Sequence, residues 1–331
     1  MRRDVADMLN LEPIFQAVRQ AVTICRTVQE MHLVSAQKAG HEPVTIADYA
    51  AQALICRAIS RAFPGDAILA EEQGGQFVEL VTDSERAEVA RLLTDALAER
   101  VTQADIVRWL DYGYDREAER TWVIDPIDGT KGFLALRSYV VAVGLLVDKR
   151  PAGAVIAAPG YPWPDRQGAL FHTQHGVAFC QPLSGGALRR IRVSDRADPA
   201  LLRAVESVDK SHAGHERMAR VRAAAGMSDG ALERLDSMEK YARVAAGDAD
   251  VYLRLPRVRS QRPHMVWDHA AGVALVQAAG GLATDIDGSP LDFSQGRTLA
   301  RNQGVIATNG RIHEHLLTAV GRVLADEQAA G

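Results

Sequence analysis

The feature that most constrains the fold of this chain is a short apolar run that ends in two closely spaced acids. Trp122-Val-Ile124 is typical of a buried strand, and Asp125-Pro-Ile-Asp-Gly-Thr-Lys-Gly-Phe133 follows it directly. The proline ring fixes one backbone torsion, and Gly129 permits a tight bend before the next helical turn. The sequence therefore predicts a strand, a turn over residues 125–129, and two carboxylates that face one centre.

The residues after this turn predict a binding place for an anion. If Gly129, Thr130 and Lys131 begin a helical turn, their free N–H groups can bind a phosphate group. An isolated Asp-x-x-Asp-Gly is, however, more often a plain turn than a metal or phosphate site. Taken alone, this segment leaves both interpretations open.

Four acids stand where a predicted strand ends or a predicted helix begins: Glu71, Asp125, Asp128 and Asp268. Backbone curvature at such places lets side chains converge. Converging carboxylates repel one another, whereas Mg²⁺ prefers oxygen ligands and bridges to a substrate phosphate. The sequence therefore predicts a shared Mg²⁺ site, although Glu71 alone could be a solvated loop end and Asp268 an N-cap.

Helices and strands alternate irregularly along the chain, as in layered α+β or mixed α/β folds. The loop-forming stretch Gln181–Gly186 is the best candidate boundary. It divides the chain into an N-terminal α+β half, residues 1–180, and a C-terminal α/β half, residues 187–331. The apolar spacing predicts helices from Ile14 and over 50–63, 84–100, 215–225, 238–246 and 268–279, and strands over 67–70, 122–124, 139–147, 152–158 and 250–255.

Asp48 lies just before one of these helices. Thr45-Ile-Ala-Asp48 has the Thr-x-x-acid form of a capping box, and the apolar run from Ala50 to Phe63 follows it. From the pattern alone, Asp48 is either a capping residue or a functional acid.

Composition and charge exclude several classes of protein. The formal net charge is −4, from 42 acidic and 38 basic residues, so there is no general attraction to a nucleic-acid polymer. The longest apolar run, around Val140–Val147, is too short to span a membrane, and acids interrupt the N-terminus where a signal peptide is apolar. Cys25, Cys56 and Cys180 are scattered, which suits free thiols. These features predict a cytoplasmic protein without membrane or nucleic-acid partners.

Three segments in this order, Leu69-Ala-Glu-Glu72, Trp122–Thr130 and Val266-Trp-Asp-His-Ala-Ala-Gly272, resemble the signature of the lithium-sensitive, Mg²⁺-dependent phosphatases related to inositol monophosphatase. Within that superfamily the chain is most similar to the 3'(2'),5'-bisphosphate nucleotidases. That closer similarity is carried by the segments Pro43–Tyr49, Lys131–Phe133, Leu235–Tyr241, Asp250–Pro256 and Pro290–Phe293.

The resemblance implies a fold and a set of metal ligands. The fold would be a five-layer αβαβα sandwich, with the two halves meeting at the metal cluster. Glu71, Asp125 and the carbonyl of Ile127 would bind one Mg²⁺, and Asp125, Asp128 and Asp268 would bind a second. A third, weaker ion would touch Glu71, which gives two to three Mg²⁺ ions in each site.

The resemblance also implies the reacting groups and the substrate contacts. A water would be the nucleophile, activated by a metal and by Thr130, whose hydroxyl is oriented by Asp48. The expected substrate-binding residues lie in both halves of the chain: Gly129, Thr130, His212, Ser237, Lys240, Arg254 and Asp268. From sequence alone, the loop around His212 could be merely polar, and Arg254 could belong to a solvated face.

The function implied is hydrolysis of adenosine 3',5'-bisphosphate to AMP and phosphate, with 3'-phosphoadenosine 5'-phosphosulfate as a second candidate substrate. A small-molecule nucleotide would therefore be the partner, and the chain would act as a monomer or homodimer in a pathway such as sulfur metabolism. An inositol phosphate phosphatase would share every metal ligand and differ in the pocket. A non-catalytic nucleotide-binding regulatory protein is a third alternative, which the complete acid set disfavours.

Overall fold

The structure is a computed structural model that describes residues 9–35, 43–164, 167–208, 214–228, 232–256 and 263–330. His212, a predicted substrate contact, lies outside these ranges. The helices within them are α1 (Glu12–Ser35), α2 (Pro43–Ala62), α3 (Gly74–Leu80), α4 (Asp83–Leu97), α5 (Gln103–Leu110), α6 (Thr130–Leu134), α7 (His215–Ala224), α8 (Glu239–Ala245), α9 (Ala270–Ala278) and α10 (His313–Ala330).

The strands of the same ranges fall into two sheets. The first sheet has the strand order of the sequence: β1 (Ala67–Ala70), β2 (Arg120–Asp128), β3 (Val140–Val147), β4 (Arg150–Ala158), β5 (Ala169–Gln174), β6 (Val177–Pro182) and β7 (Arg189–Arg190). The strands of the second sheet are β8 (Ala204–Ser207), β9 (Leu232–Leu235), β10 (Val251–Arg254), β11 (Leu282–Thr284) and β12 (Val305–Thr308), in the order β11-β12-β10-β8-β9.

In the first sheet, β1 runs parallel to β2 and the remaining neighbours are antiparallel. Helices α1 and α2 cover one face of this sheet, and α9 packs on the other face. Every residue of β3 is buried because both faces are covered. This explains why Val140–Val147 is a continuous apolar run rather than an alternating one.

The second sheet is also covered on both faces. Its central strand β10 turns Tyr252 toward α8 and α9, while Val251 and Leu253 pack with residues of α7 and α10. This alternation is the ordinary consequence of strand pleating. The elements therefore stack as helices, sheet, helices, sheet and helices, and the predicted five-layer αβαβα sandwich is confirmed.

Some local predictions from sequence are wrong. The predicted turn at 125–129 is strand as far as Asp128, with a shift of the β2–β3 register between Asp125 and Asp128. The region after Glu72 contains α3 and α5 beside the predicted α4.

The candidate boundary at 181–186 lies within the first sheet, because β7 pairs with β6, so the second sheet begins only at β8. The functional division into two halves stays a prediction.

The three cysteines are buried free thiols, as the sequence predicts. In the described part of the chain, no helix is long and apolar enough to cross a membrane.

Gly272 allows α8 and α9 to pack closely beside the candidate site. A Cβ atom at this position would lie 2.3 Å from Cδ2 of the Tyr241 ring. We expect Gly272→Ala to lower the free energy of unfolding by about 2 kcal/mol, because overpacking a dense core displaces neighbouring groups. Urea unfolding followed by circular dichroism measures the change.

Gly321 provides the matched control, because it also lies within a helix, yet a Cβ atom added there would meet no atom within 4 Å. Gly321→Ala should leave the protein as stable as the wild type or raise its stability by about 1 kcal/mol, as alanine favours helix. Equal stability of Gly272→Ala and Gly321→Ala would contradict the packing argument.

Candidate active site

A cavity of about 270 Å³ lies where the two sheets approach each other. Its lining includes the four predicted acids and two predicted cations, Lys240 and Arg254. The residues that line it come from both halves of the chain: Glu71, Asp125, Ile127, Asp128, Gly129, Thr130, Lys131, Ser207, Asp236, Ser237, Met238, Lys240, Tyr252, Arg254 and Asp268. The structure thus brings together most of the residues that the sequence predicted for the site.

Parallel pairing of β1 and β2 accounts for the nearness of the first two acids. Ala70 is in register with Ile124, so Glu71 and Asp125 each follow directly at the same edge of the sheet. Asp125 is buried, whereas Glu71 is half-buried. Two acids separated by more than fifty residues in sequence therefore face the same cavity.

The end of β2 places Asp128 and the start of α6. Gly129 has φ = +91°, which favours glycine, and α6 begins at the next residue. The N–H of Phe133 donates to the carbonyl of Gly129 at 2.9 Å, so the predicted helical turn is confirmed. Its first N–H groups lie beside the cavity, and their use as a phosphate pocket stays a prediction.

The plain structural explanations for Asp48 and Asp268 do not hold. Asp48 lies in the second turn of α2, because that helix already begins at Pro43, so it is not an N-terminal cap. Asp268 precedes the N-cap of α9, which is His269. Instead, Asp268 accepts a hydrogen bond from Nη2 of Arg254 at 3.2 Å.

The acids of the cavity raise one another's pKa values. Burial, and then repulsion by Glu72, Asp268 and Asp128, raises the pKa of Glu71 from 4.5 to about 8. Burial and repulsion by Asp268 raise the pKa of Asp128 from 3.8 to about 6, against the lowering effects of Lys240, the Met238 N–H and Arg254. The site therefore holds more negative charge than its own cations neutralise.

The two most deeply buried acids are shifted further. Burial, followed by the charges of Glu71, Asp128 and Asp268, raises the pKa of Asp125 well above its ordinary range. The pKa of Asp48 is raised mainly by burial and next by Glu71 and the neighbouring Glu72. Both acids lie in the same electrostatic cluster, even though Asp48 does not line the cavity.

The donor set fits a divalent cation. Oδ1 of Asp125 is buried and accepts no hydrogen bond from the described residues. An orphaned carboxylate oxygen among other carboxylates is suited to a hard cation, which prefers oxygen ligands. Within the described ranges, however, no three acidic, histidine or cysteine side chains are already placed as a metal-binding group. Two of the acids have other partners, since Asp128 accepts from the Met238 N–H and Asp268 pairs with Arg254.

Two cations, Lys240 and Arg254, also line the cavity. Nζ of Lys240 donates to the carbonyl of Leu235 at 2.9 Å and lies 5.6 Å from the centre of the Tyr252 ring. Burial lowers the pKa of Lys240 to about 8, although the charge of Asp128 opposes this shift. The buried Ser237 is another predicted substrate contact that lines the cavity with them.

Sequence reasoning missed several residues that line the cavity: Lys131 as a contact, Ser207, Asp236, Met238 and Tyr252. Ser207 ends β8 and Asp236 follows β9, two parallel neighbours in the second sheet. Ligands of α/β sheets bind at the carboxyl ends of the strands, so both residues could have been found only if β8 and β9 had been predicted from the sequence. Tyr252 gave no signal, because an apolar residue in a buried strand is ordinary.

The pairing of Asp48 with Thr130 stays a prediction. The hydroxyl of Thr130 donates to the carbonyl of Ile127 at 3.4 Å, which joins two of the predicted functional groups. Asp48 is close enough to Glu71 and Asp125 for their charges to affect one another.

The raised carboxyl pKa values predict how stability depends on pH. Glu71 and Asp128 bind their protons more tightly in the folded chain than in the unfolded chain, whose values are near 4.5 and 3.8. The free energy of unfolding should therefore fall as pH rises from about 6.5 to about 8; at lower pH the lowered pKa values of the buried His172 and His269 act in the opposite direction. Thermal unfolding in EDTA at several pH values measures this trend, and added Mg²⁺ should flatten it.

Glu71→Gln serves as the control for this prediction, because the amide cannot titrate. Its melting temperature in EDTA should fall less between pH 6.5 and pH 8 than that of the wild type. Equal falls of the two melting temperatures between pH 6.5 and pH 8 in EDTA would contradict the raised pKa of Glu71.

The layered fold and the acid-lined cavity define the class of protein: the chain belongs to the inositol monophosphatase family, whose sequence pattern matches residues 9–325. Members of this family are generally metal-dependent. The family predicted from the sequence motifs is confirmed.

The relatives and the solved structures agree with this assignment. A protein of Emericella nidulans named 3'(2'),5'-bisphosphate nucleotidase is 37% identical over 343 residues, which cover 93% of this chain and 96% of that protein. The Oryza sativa protein of the same name is 32% identical, with 95% and 94% covered.

Among solved structures, the suhB extragenic suppressor protein of Bartonella henselae has a TM-score of 0.62 at 21% identity, covering 94% of this chain and 98% of that one. Inositol monophosphatase from Anabaena has a TM-score of 0.58 at 24% identity, covering 93% and 94%. At these identities the two structures support the fold.

Proposed function

We propose that this chain is a metal-dependent 3'(2'),5'-bisphosphate nucleotidase that hydrolyses adenosine 3',5'-bisphosphate to AMP and phosphate, with 3'-phosphoadenosine 5'-phosphosulfate as a second substrate. The observation that carries the proposal is one cavity lined both by four acids suited to divalent cations and by two cations, Lys240 and Arg254. Relatives that share 30–37% of its residues over most of the chain carry the name bisphosphate nucleotidase.

The acids that line the cavity would hold the metal. Glu71, Asp125, Asp128, Asp268 and the carbonyl of Ile127 would bind two to three Mg²⁺ ions. When bound, Mg²⁺ would lower the pKa of the nucleophilic water and stabilise the charge on the attacking and leaving oxygens. The same cations would relieve the repulsion that raises the carboxyl pKa values.

The chain's own groups would orient the reactants. The first N–H groups of α6 and the hydroxyl of Thr130 would hold oxygens of the reacting phosphate, and Asp48 would position that hydroxyl. Lys240 and Arg254 would bind the second phosphate, since a substrate with two phosphates needs cations beyond those at the reacting group. Ser237 would contact the nucleotide, and His212 is assigned to a phosphate by the resemblance.

The test is phosphate release from adenosine 3',5'-bisphosphate and inositol 1-phosphate, measured side by side with Mg²⁺. We expect a higher kcat/KM for the bisphosphate, and no release after EDTA treatment until Mg²⁺ is restored. Millimolar Li⁺ in the same assay tests the lithium sensitivity that the resemblance implies. A clear preference for the inositol compound would overturn the proposed substrate while leaving the phosphatase class intact.

A further inference from the structure

Arg297 contacts two chain segments that carry acids of the site, the turn at Glu71 and the turn at Asp268. Its Nη2 donates to the carbonyl of Glu71 at 3.0 Å, and its Nη1 donates to the hydroxyl of Tyr114 at 3.4 Å. The guanidinium carbon is 4.6 Å from the centre of the Trp267 ring. One side chain therefore contacts both the Glu71 turn and the residue that precedes Asp268.

The backbone around Arg297 holds the second of these segments as well. The carbonyl of Arg297 accepts from the N–H of Val266 at 2.9 Å, and the N–H of Leu299 donates to the carbonyl of His264 at 2.8 Å. Residues 297–299 thus run beside residues 264–266, which lead directly into Asp268. A shift of Arg297 would move that acid relative to Glu71.

The contacts suit arginine rather than lysine. A guanidinium is planar, stacks on an aromatic ring and donates in two directions at once, whereas an ammonium group is a compact point charge. The positive charge of Arg297 also lies near Glu71 and Glu72 and offsets part of the repulsion among the acids of the site. Arg297 does not line the cavity in the part of the chain that is described.

We propose that Arg297 is a positioning residue that fixes the Glu71 turn relative to the Asp268 turn, so that the acids of both turns can share divalent cations. The inference rests on the proposed metal site. Arg297 acts through its contacts with the Glu71 carbonyl and the Trp267 ring, without contacting substrate. Its loss should therefore weaken cation binding in the absence of any substrate.

The test is Mn²⁺ binding to the substrate-free protein, followed by electron paramagnetic resonance. Arg297→Met should lower the Mn²⁺ affinity about tenfold or more, because groups that orient metal ligands typically contribute that much. Arg297→Lys keeps the charge but not the planar fork, so its affinity should fall between those of Arg297→Met and the wild type. The KM for Mg²⁺ should rise in the same order.

Two controls separate the possible outcomes. Arg301→Met removes an exposed arginine of the same segment, which pairs with Asp292, and should bind Mn²⁺ like the wild type. Asp125→Asn should lose most Mn²⁺ binding, and wild-type binding by this variant would overturn the proposed metal site itself. If Asp125→Asn behaves as expected, wild-type affinity in a folded Arg297→Met protein overturns the positioning role. Should Arg297→Met not fold, wild-type affinity of Arg297→Lys overturns it.

Discussion

Replacing Asp125 by alanine is expected to reduce phosphate release about a thousandfold, since a bound metal supplies several kcal/mol of transition-state stabilisation and each 1.4 kcal/mol is worth a factor of ten. The carboxylate is buried, and its Oδ1 has no hydrogen-bond donor among the described residues. Its main identifiable partners are other acids that repel it. A bound divalent cation would offset this repulsion.

The same substitution should not unfold the protein. Removal of a buried acid surrounded by acids relieves repulsion, so the melting temperature of Asp125→Ala in EDTA should equal or exceed that of the wild type. Mg²⁺ should raise the melting temperature of the wild type but not that of the variant, because only a ligand that binds the folded state stabilises it. Phosphate release and thermal unfolding, each with and without Mg²⁺, measure both effects.

Asp95→Ala is the matched control for Asp125→Ala, since Asp95 is an exposed acid on α4 that pairs with Arg91. It should retain wild-type turnover and the wild-type response to Mg²⁺. Turnover of Asp125→Ala within a few fold of the wild type would remove the proposed metal site. It would also favour a metal-independent hydrolysis by this chain.

Much of the fold could be predicted because apolar periodicity survives in the packed structure. Strands β3 and β4 and helices α7, α8 and α9 lie within a few residues of the predicted bounds. The predictions failed where tertiary pairing overrides local chemistry. Asp125-Pro-Ile-Asp128 has the composition of a turn, yet its backbone continues β2 because β3 pairs with it on both sides of a register shift.

The candidate site was predictable in its acids and less so in its geometry. The positions of Glu71 and Asp125 follow from parallel pairing of β1 and β2, but local sequence does not reveal which strands are neighbours. Nor could it indicate that Arg254 pairs with Asp268, since that contact joins the end of β10 to the turn before α9. Arg297 gave no signal for the same reason, because its partners are distant in sequence.

Lys240 is the cation whose loss should best distinguish a bisphosphate from a monophosphate. It is buried at the cavity, where its charge influences Asp128 and its ammonium lies over Tyr252. A buried ammonium loses hydration, so its presence is favourable only if an anion compensates it. The carbonyl of Leu235 accepts a hydrogen bond from one of its three N–H groups, which leaves N–H donors for a phosphate.

Lys240→Met keeps the length of the side chain and removes the charge. We expect kcat/KM for adenosine 3',5'-bisphosphate to fall between about tenfold and a hundredfold, because hydrogen bonds to charged groups contribute about 1.5–3 kcal/mol. For 3'-AMP, which lacks the second phosphate, the loss should be much smaller. Lys149→Met, at an exposed turn between β3 and β4, controls for the lost charge and should affect neither substrate. An equal loss on both substrates would instead place Lys240 beside the reacting phosphate, and the recognition of a second phosphate would then have to depend on Arg254.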